Sequence, residues 1–205
     1  AAGRVARTIR PDDAFSWVLY GHVEDPARPE AFKPSVWERS TYDANDNVFE
    51  QFNVHHNGHG FYLENDSSRN VLLNTDSHHN YDMVSGGGNS DGVGFGYVTG
   101  TDNVIRGCRA WWNSDDGFDT FEHAGHVQIE NSWSWNNGYV PGTMTQAGDG
   151  VGFKLGSVFL QNGAKRTVIN RTLKNNLAFN NANYGVHINE GEMRVEMFNT
   201  TMFGN

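Results

Sequence analysis

Val104-Ile105-Arg106-Gly107-Cys108-Arg109-Ala110-Trp111-Trp112-Asn113 and, 23 residues on, Val127-Gln128-Ile129-Glu130-Asn131-Ser132-Trp133-Ser134-Trp135-Asn136 share one plan: a strand-like run that opens on Val and closes on Asn. The same nine-residue run leads from Val48 to Asn57 and from Val71 to Asn80. A further copy ends Ala178-Phe179-Asn180, and Phe203-Gly204-Asn205 has the same form. The Asn landmarks 57, 80, 113, 136, 180 and 205 are separated by 23, 33, 23, 44 and 25 residues. The three short intervals give the coil length. The two long ones carry insertions, around Met83–Ser90 and Tyr139–Gly148, with more in Val158–Lys165.

Coils of this length, built from short strands and polar turns, predict an all-β fold: a right-handed parallel β-helix, a solenoid of single-chain coils. Stacked coils lie about 4.8 Å apart, so an Asn at the same turn of each coil bonds to its copies above and below, forming an Asn ladder. The alternative is a β-sandwich with Asn-rich turns, which does not call for a fixed period. Residues 47–205 are assigned to the helix. Residues 1–46 do not show the repeat; Pro11, Pro26, Pro29 and Pro34 interrupt any regular element there, and the segment is a candidate cap.

Composition narrows the partners. The formal charge is −9, which argues against nucleic acid, whose binding needs clustered Lys and Arg. An acidic polymer would need a bridging cation or a local basic patch. Mean hydropathy is −0.61, and no run of about 18 apolar residues occurs, so no membrane span is expected. Cys108 is the single cysteine, which excludes an internal disulfide.

The chemistry gathers in Asn113-Ser114-Asp115-Asp116-Gly117-Phe118-Asp119. Three carboxylates this close repel unless they protonate or bind a cation. Oxygen ligands without thiolates favour a hard cation, Ca²⁺. Asp91 precedes Asp115 by 24 residues, one coil, and stacking would bring it to the cluster. Taken alone, Asp-Asp-Gly is also ordinary turn chemistry. Gly94-Phe95, Gly117-Phe118 and Gly152-Phe153 are followed by Gly96, Asp119 and Lys154. If the three pairs are equivalent, Lys154 lies one coil from Asp119 on the same face. A lysine beside Ca²⁺ can lose its proton to charge repulsion and act as a base.

Asn80-Tyr81-Asp82, Asn103–Trp111, Asn113–Asp119 and Gly152-Phe153-Lys154-Leu155-Gly156 together resemble polysaccharide lyase family 9, pectate lyases of the parallel β-helix type. The similarity runs from about Asn47 onward and is most specific between Asn70 and Gly156. It implies Ca²⁺ held by Asp91, Asp115, Asp116 and Asp119, with Lys154 as the base that takes the C5 proton of a uronate in a β-elimination. It also implies an acidic polysaccharide substrate such as polygalacturonate, a monomer, and a secreted or periplasmic location. Three departures stand out. Family members read Ala-Asp-Gly-Phe at the first ligand, where this chain has Ser90-Asp91-Gly92-Val93-Gly94-Phe95; alignment on Gly-Phe would put Val93 there, and an ungapped alignment keeps Asp91. Asp149-Gly150-Val151-Gly152 replaces the usual Asn-Gly-Asn-Gly. The chain is also shorter than members generally are.

Other residues have two readings each. His55-His56 and His78-His79 occupy equivalent coil positions and suit groove lining or structure better than a metal site, which would need convergent geometry. Trp111, Trp112, Trp133 and Trp135 suit packing better than sugar platforms. Arg106 and Arg109 can pair with substrate carboxylates or with acids on neighbouring strands. The competing functions are a lyase on another uronate polymer such as rhamnogalacturonan, a hydrolase using two aspartates, and a non-catalytic helix in which Ca²⁺ staples coils. Only the lyases have a use for Lys154.

Overall fold

The computed structural model describes residues 45–98, 100–156, 168–189 and 192–205. The candidate cap, but for its last two residues, and the insertion at 158–165 lie outside the described residues. The rest is a parallel β-helix in which each coil contributes one strand to each of three sheets. The first coil comprises β1 (Val48–Glu50), β2 (Asn53–His55) and β3 (Phe61–Asn65). The second comprises β4 (Val71–Leu73), β5 (Asp76–His78) and β6 (Val93–Val98), and the third β7 (Asn103–Arg106), β8 (Arg109–Trp111) and β9 (Phe118–Asp119). The fourth comprises β10 (Val127–Glu130), β11 (Trp133–Trp135) and β12 (Val151–Lys154). The fifth comprises β13 (Ile169–Lys174), β14 (Leu177–Phe179) and β15 (Tyr184–His187), and β16 (Met193–Phe198) and β17 (Thr201–Phe203) follow. Sheet 1 stacks β1-β4-β7-β10-β13-β16, sheet 2 β2-β5-β8-β11-β14-β17, and sheet 3 β3-β6-β9-β12-β15.

Left-handed residues turn the chain at two corners of every coil, and Asp46, Arg69 and Asp102 add a third before sheet 1 in the first three. Between the first and second strands stand Gln51, Asn74, Gly107, Asn131, Asn175 and Asn199, with φ from 46° to 66°. After the second strand stand His56, His79, Trp112, Asn136, Asn180 and Gly204, with φ from 53° to 64°. Asn and Gly are the residues that tolerate this conformation best, which is why a polar, Asn-rich chain repeats them in register.

The Asn ladder exists, shifted by one residue in two coils from the sequence-based expectation. Its members are Asn57, Asn80, Asn113, Asn137, Asn181 and Asn205, with spacings of 23, 33, 24, 44 and 24. Asn136 and Asn180 are instead the left-handed residues just before it. Each ladder Oδ1 accepts from the previous coil: Asn137 Oδ1 takes the Asn113 backbone N–H at 3.1 Å and its Nδ2 at 3.0 Å. A second run, Asn47, Asn70 and Asn103, bonds in the same way where sheet 1 begins.

Columns of like side chains fill the interior. Leu72, Ile105, Ile129 and Leu173 stack inside sheet 1. Phe61, Val93, Phe118, Phe153 and Val186 stack inside sheet 3, with the Phe118 and Phe153 rings 4.9 Å apart. Each fully buried Leu, Ile or Phe contributes about 1.5–3 kcal/mol. Sheet 2 turns small residues inward, Ser77, Ala110, Ser134 and Ala178, which leaves room for the ladder amides. At the entry to sheet 3 the backbones approach so closely that only glycine fits. A Cβ on Gly92 would lie 2.7 Å from the Gly117 carbonyl oxygen, and one on Gly117 would lie 2.8 Å from that of Gly152.

Asn137→Ala should lower stability by about 2–4 kcal/mol, because buried acceptors on both neighbouring coils lose their donor. Asn136→Gly, at a left-handed position, should change it by less than about 1 kcal/mol. Denaturant unfolding of the two variants separates the ladder from the turn.

Candidate active site

The expected site residues meet where sheet 3 begins. Asp119 pairs in register with Lys154 on the next coil and with Gly94 on the previous one. The Gly-Phe expectation therefore holds for Gly117-Phe118 and Gly152-Phe153 and fails for Gly94-Phe95, since Val93 lies opposite Phe118. Asp91 lies level with Asp116, not with Asp115: the Asp116 N–H donates to Asp91 Oδ1 at 3.2 Å. One coil on, Val151 N–H donates to Asp116 Oδ1 at 2.7 Å. Each of the two aspartates thus accepts a backbone N–H of the following coil, the reverse of the sense in which the Asn ladder runs.

Oxygens of Asp91, Asp116 and Asp119 come within 4.8 Å of one another, and so do those of Asp115, Asp116 and Asp149. Asp115 sits at the meeting point of the two insertions. Its Oδ2 accepts the Asn89 N–H at 2.6 Å and its Oδ1 the Asp149 N–H at 2.6 Å. Ser114 anchors the same insertions through Gly87 O at 2.7 Å and through Gly148 N–H at 2.7 Å. The inserted segments therefore wall the site. Asp149, quoted above only as a departure from the family pattern, was not read as a site residue.

Lys154 is the cation in contact with these acids among the described residues. Its Nζ lies 2.9 Å from Asp116 Oδ2, 3.0 Å from Asp149 Oδ2 and 3.5 Å from Asp119 Oδ2. Burial holds Asp91 and Asp116 well above the usual carboxylate range, and repulsion from Asp119 and Asp115 respectively adds to it. Asp115 is also raised by burial, and burial pushes Asp119 up to about 6 against the pull of Lys154. For Lys154, burial works downward but is outweighed by the attraction of Asp119 and Asp116, so its ammonium form is stabilised.

These groups fit a hard cation. Asp116 Oδ2 is buried without an aligned hydrogen bond, its 2.9 Å contact to Lys154 being an ion pair only. Several buried carboxylates share one lysine, and all are oxygen donors.

Sequence reasoning passed over Arg171. It is fully buried on β13, and its pKa is lowered by burial to about 9. Its guanidinium bonds Thr120 Oγ1 at 3.1 Å, Leu155 O at 3.1 Å, Gly125 O at 2.7 Å and His123 O at 2.6 Å. It thereby holds the segment that follows Asp119. Arg106 and Arg109 lie on sheets 1 and 2, away from the site, and pair with Glu130 and Asp76. Trp111 and Trp135 lie outside the core on sheet 2, in a stack with Phe179, and Trp133 is 48% exposed.

The fold and the site define a parallel β-helix with an acidic, lysine-bearing cluster on one sheet. The chain belongs to the Pel9A-like right-handed β-helix family, whose model matches residues 35–205. It is 38% identical over 161 residues to pectate lyase L of Dickeya chrysanthemi, covering 78% of this chain and 36% of that one. Among solved structures, a rhamnogalacturonan lyase is 41% identical, with a TM-score of 0.60 over 68% of this chain and 36% of that one. Pectate lyase Pel9A is 31% identical, with a TM-score of 0.59 over 78% and 46%. The chain spans about a third of the length of the curated relative it matches.

Arg171→Lys, with three donors in place of five, should destabilise the protein by about 2–4 kcal/mol by leaving buried carbonyls unpaired. Chemical denaturation at neutral pH reads this directly, and an unchanged midpoint would remove the anchoring role.

Proposed function

We propose that this chain is the β-helix of a calcium-dependent polysaccharide lyase acting on polygalacturonate. The observation that carries the reading is Lys154 Nζ set among buried carboxylates on the cleft face of sheet 3. Asp91, Asp115, Asp116 and Asp119 are the calcium ligands, and Asp149 stands beside them. Calcium, when bound, supplies positive charge that draws in a uronate carboxylate and acidifies its C5 proton.

The acids around Lys154 keep it protonated while their charge is uncompensated. Once that charge is compensated, burial is what remains, and it favours the neutral amine. Lys154 then accepts the C5 proton at Nζ. The C5–H electron pair becomes the C4=C5 double bond, the C4–O bond breaks, and water protonates the departing oxygen. The insertions at 83–90 and 139–148 border the cleft and orient the polymer. The second reading, a lyase on rhamnogalacturonan, is favoured by the 41% identity to a protein of that name. An enzyme of either kind meets its polymer as a secreted or periplasmic protein.

Incubated with polygalacturonate and Ca²⁺, the protein should generate the ultraviolet absorbance of an unsaturated uronide, and chelator should abolish it. The same assay on rhamnogalacturonan distinguishes the two polymers. Reducing ends without absorbance would indicate a hydrolase, and activity in chelator would reject the calcium mechanism. Lys154→Ala should lose at least about 10³-fold in rate while still binding Ca²⁺ by calorimetry. A variant that keeps its activity would leave the cluster as a structural staple.

Stability should couple to calcium through pH. In the ion-free protein the folded pKa of Asp119, about 6, exceeds its unfolded value of about 3.9. Ionising Asp119 therefore costs stability as pH rises from about 4 through 6. Calcium removes that cost. The rise in Tm on adding Ca²⁺ should be small at pH 4.5 and large at pH 8, and an equal rise at both would count against these ligands.

A further inference from the structure

Two pairs of consecutive histidines lie on sheet 2, outside the acidic cleft. His55 ends β2 and His78 ends β5, and the two strands pair in register. His56 and His79 follow with φ of 57° and 55°. The left-handed turn swings the second imidazole back toward the first, supplying the convergence that an ordinary strand would deny. In each pair the two Nδ1 atoms are 2.8 Å apart and the rings are nearly perpendicular, at 85°. The pairs also stack on each other, His55 on His78 at 5.0 Å and His56 on His79 at 5.5 Å.

The 2.8 Å separation has a coordination meaning. With metal–nitrogen bonds of about 2.0 Å, two nitrogens this far apart subtend about 90° at the ion. That is a cis pair of a square-planar or tetragonal site, the preference of Cu(II) and Ni(II). Tetrahedral zinc needs its nitrogens about 3.3 Å apart. The upper pair is already prepared for this. His78 Nε2 lies 3.1 Å from Asn53 Oδ1, a contact that suits the tautomer with its proton on Nε2 and its Nδ1 lone pair toward His79. A metal replaces the proton that His79 Nδ1 shares with it.

We propose that His78 and His79 chelate a divalent copper or nickel ion through their Nδ1 atoms, with His55 and His56 forming a second, more exposed pair one coil away. Water completes the coordination. Burial and the neighbouring imidazoles hold His78 at about 4, so it is neutral and free to coordinate at physiological pH. The Trp111 ring stacks on His78 with centroids 4.2 Å apart, which closes one side and places a fluorophore beside the ion.

The test uses the full chain in saturating Ca²⁺, so that the aspartate cluster does not compete, with Cu²⁺ as the probe. Nitrogen superhyperfine splitting in the electron paramagnetic resonance spectrum, quenched tryptophan fluorescence and binding on the order of tenfold or more tighter than Zn²⁺ are expected. The comparison variant is His56→Asn/His79→Asn. Asn136 and Asn180 already hold the equivalent left-handed position, so it should melt as wild type does in the absence of copper. It should lose the splitting and the quenching. Equal Cu²⁺ binding by both proteins, an all-oxygen spectrum, or zinc binding as tightly as copper would overturn the site. Should the variant fail to fold, His55→Gln/His78→Gln, changed at strand positions outside the core, takes its place with the same losses expected.

Discussion

A side-chain oxygen that accepts a backbone N–H from an adjacent coil is the interaction on which this molecule depends. Strand pairing alone would hold neighbouring coils together but would leave their corners, where the chain leaves the sheets, without partners for buried N–H groups. Asn57 through Asn205 satisfy them at one corner and Asn47, Asn70 and Asn103 at another. The same bond, made by Asp91 and Asp116, opens sheet 3. The acidic site thus joins its coils by the same kind of bond, made by carboxylates and run in the opposite sense. Rigidity there comes with the fold, because Asp91 and Asp116 each have one oxygen committed to the backbone of the next coil.

That substitution carries a cost which shapes the chemistry. An amide in the interior is neutral, whereas Asp91 and Asp116 enter the same surroundings as potential anions and are held toward their protonated forms. Lys154 relieves part of the conflict by contacting three acids at once. Arg171, bonded to carbonyls rather than to acids, secures the turn beyond Asp119 without neutralising it. The cluster is therefore held in place yet remains short of positive charge.

The coil period and the solenoid are legible because Asn recurs at the ladder position of every coil and Asn or Gly is favoured, though not required, at the left-handed corners. The one-residue error in the ladder has the same origin. Asn136-Asn137 and Asn180-Asn181 place Asn at both the turn and the ladder, where earlier coils have His56-Asn57, His79-Asn80 and Trp112-Asn113. Asp115, Asp116, Asp119 and Lys154 are legible from local motif and spacing. The level of Asp91 is not, because the step from the second to the third coil on sheet 3 is 25 residues, Val93 to Phe118, rather than the 24 that aligned Asp91 with Asp115. Asp149 and Arg171 act through the folded positions of an insertion and a strand, and no local pattern distinguishes them from surface residues.

Both described insertions leave the coil at the same corner, between the second and third strands, and return before the glycine that opens sheet 3. Length can change there while the three sheets keep their stacking, since the ladder Asn precedes each insertion and the ladder Asp or Gly follows it. The acids on sheet 3 and the loops beside them are consequently separate parts of the coil, one fixed in register and the other free in length. The loops on that side can lengthen or shorten without disturbing the acids and the lysine beneath.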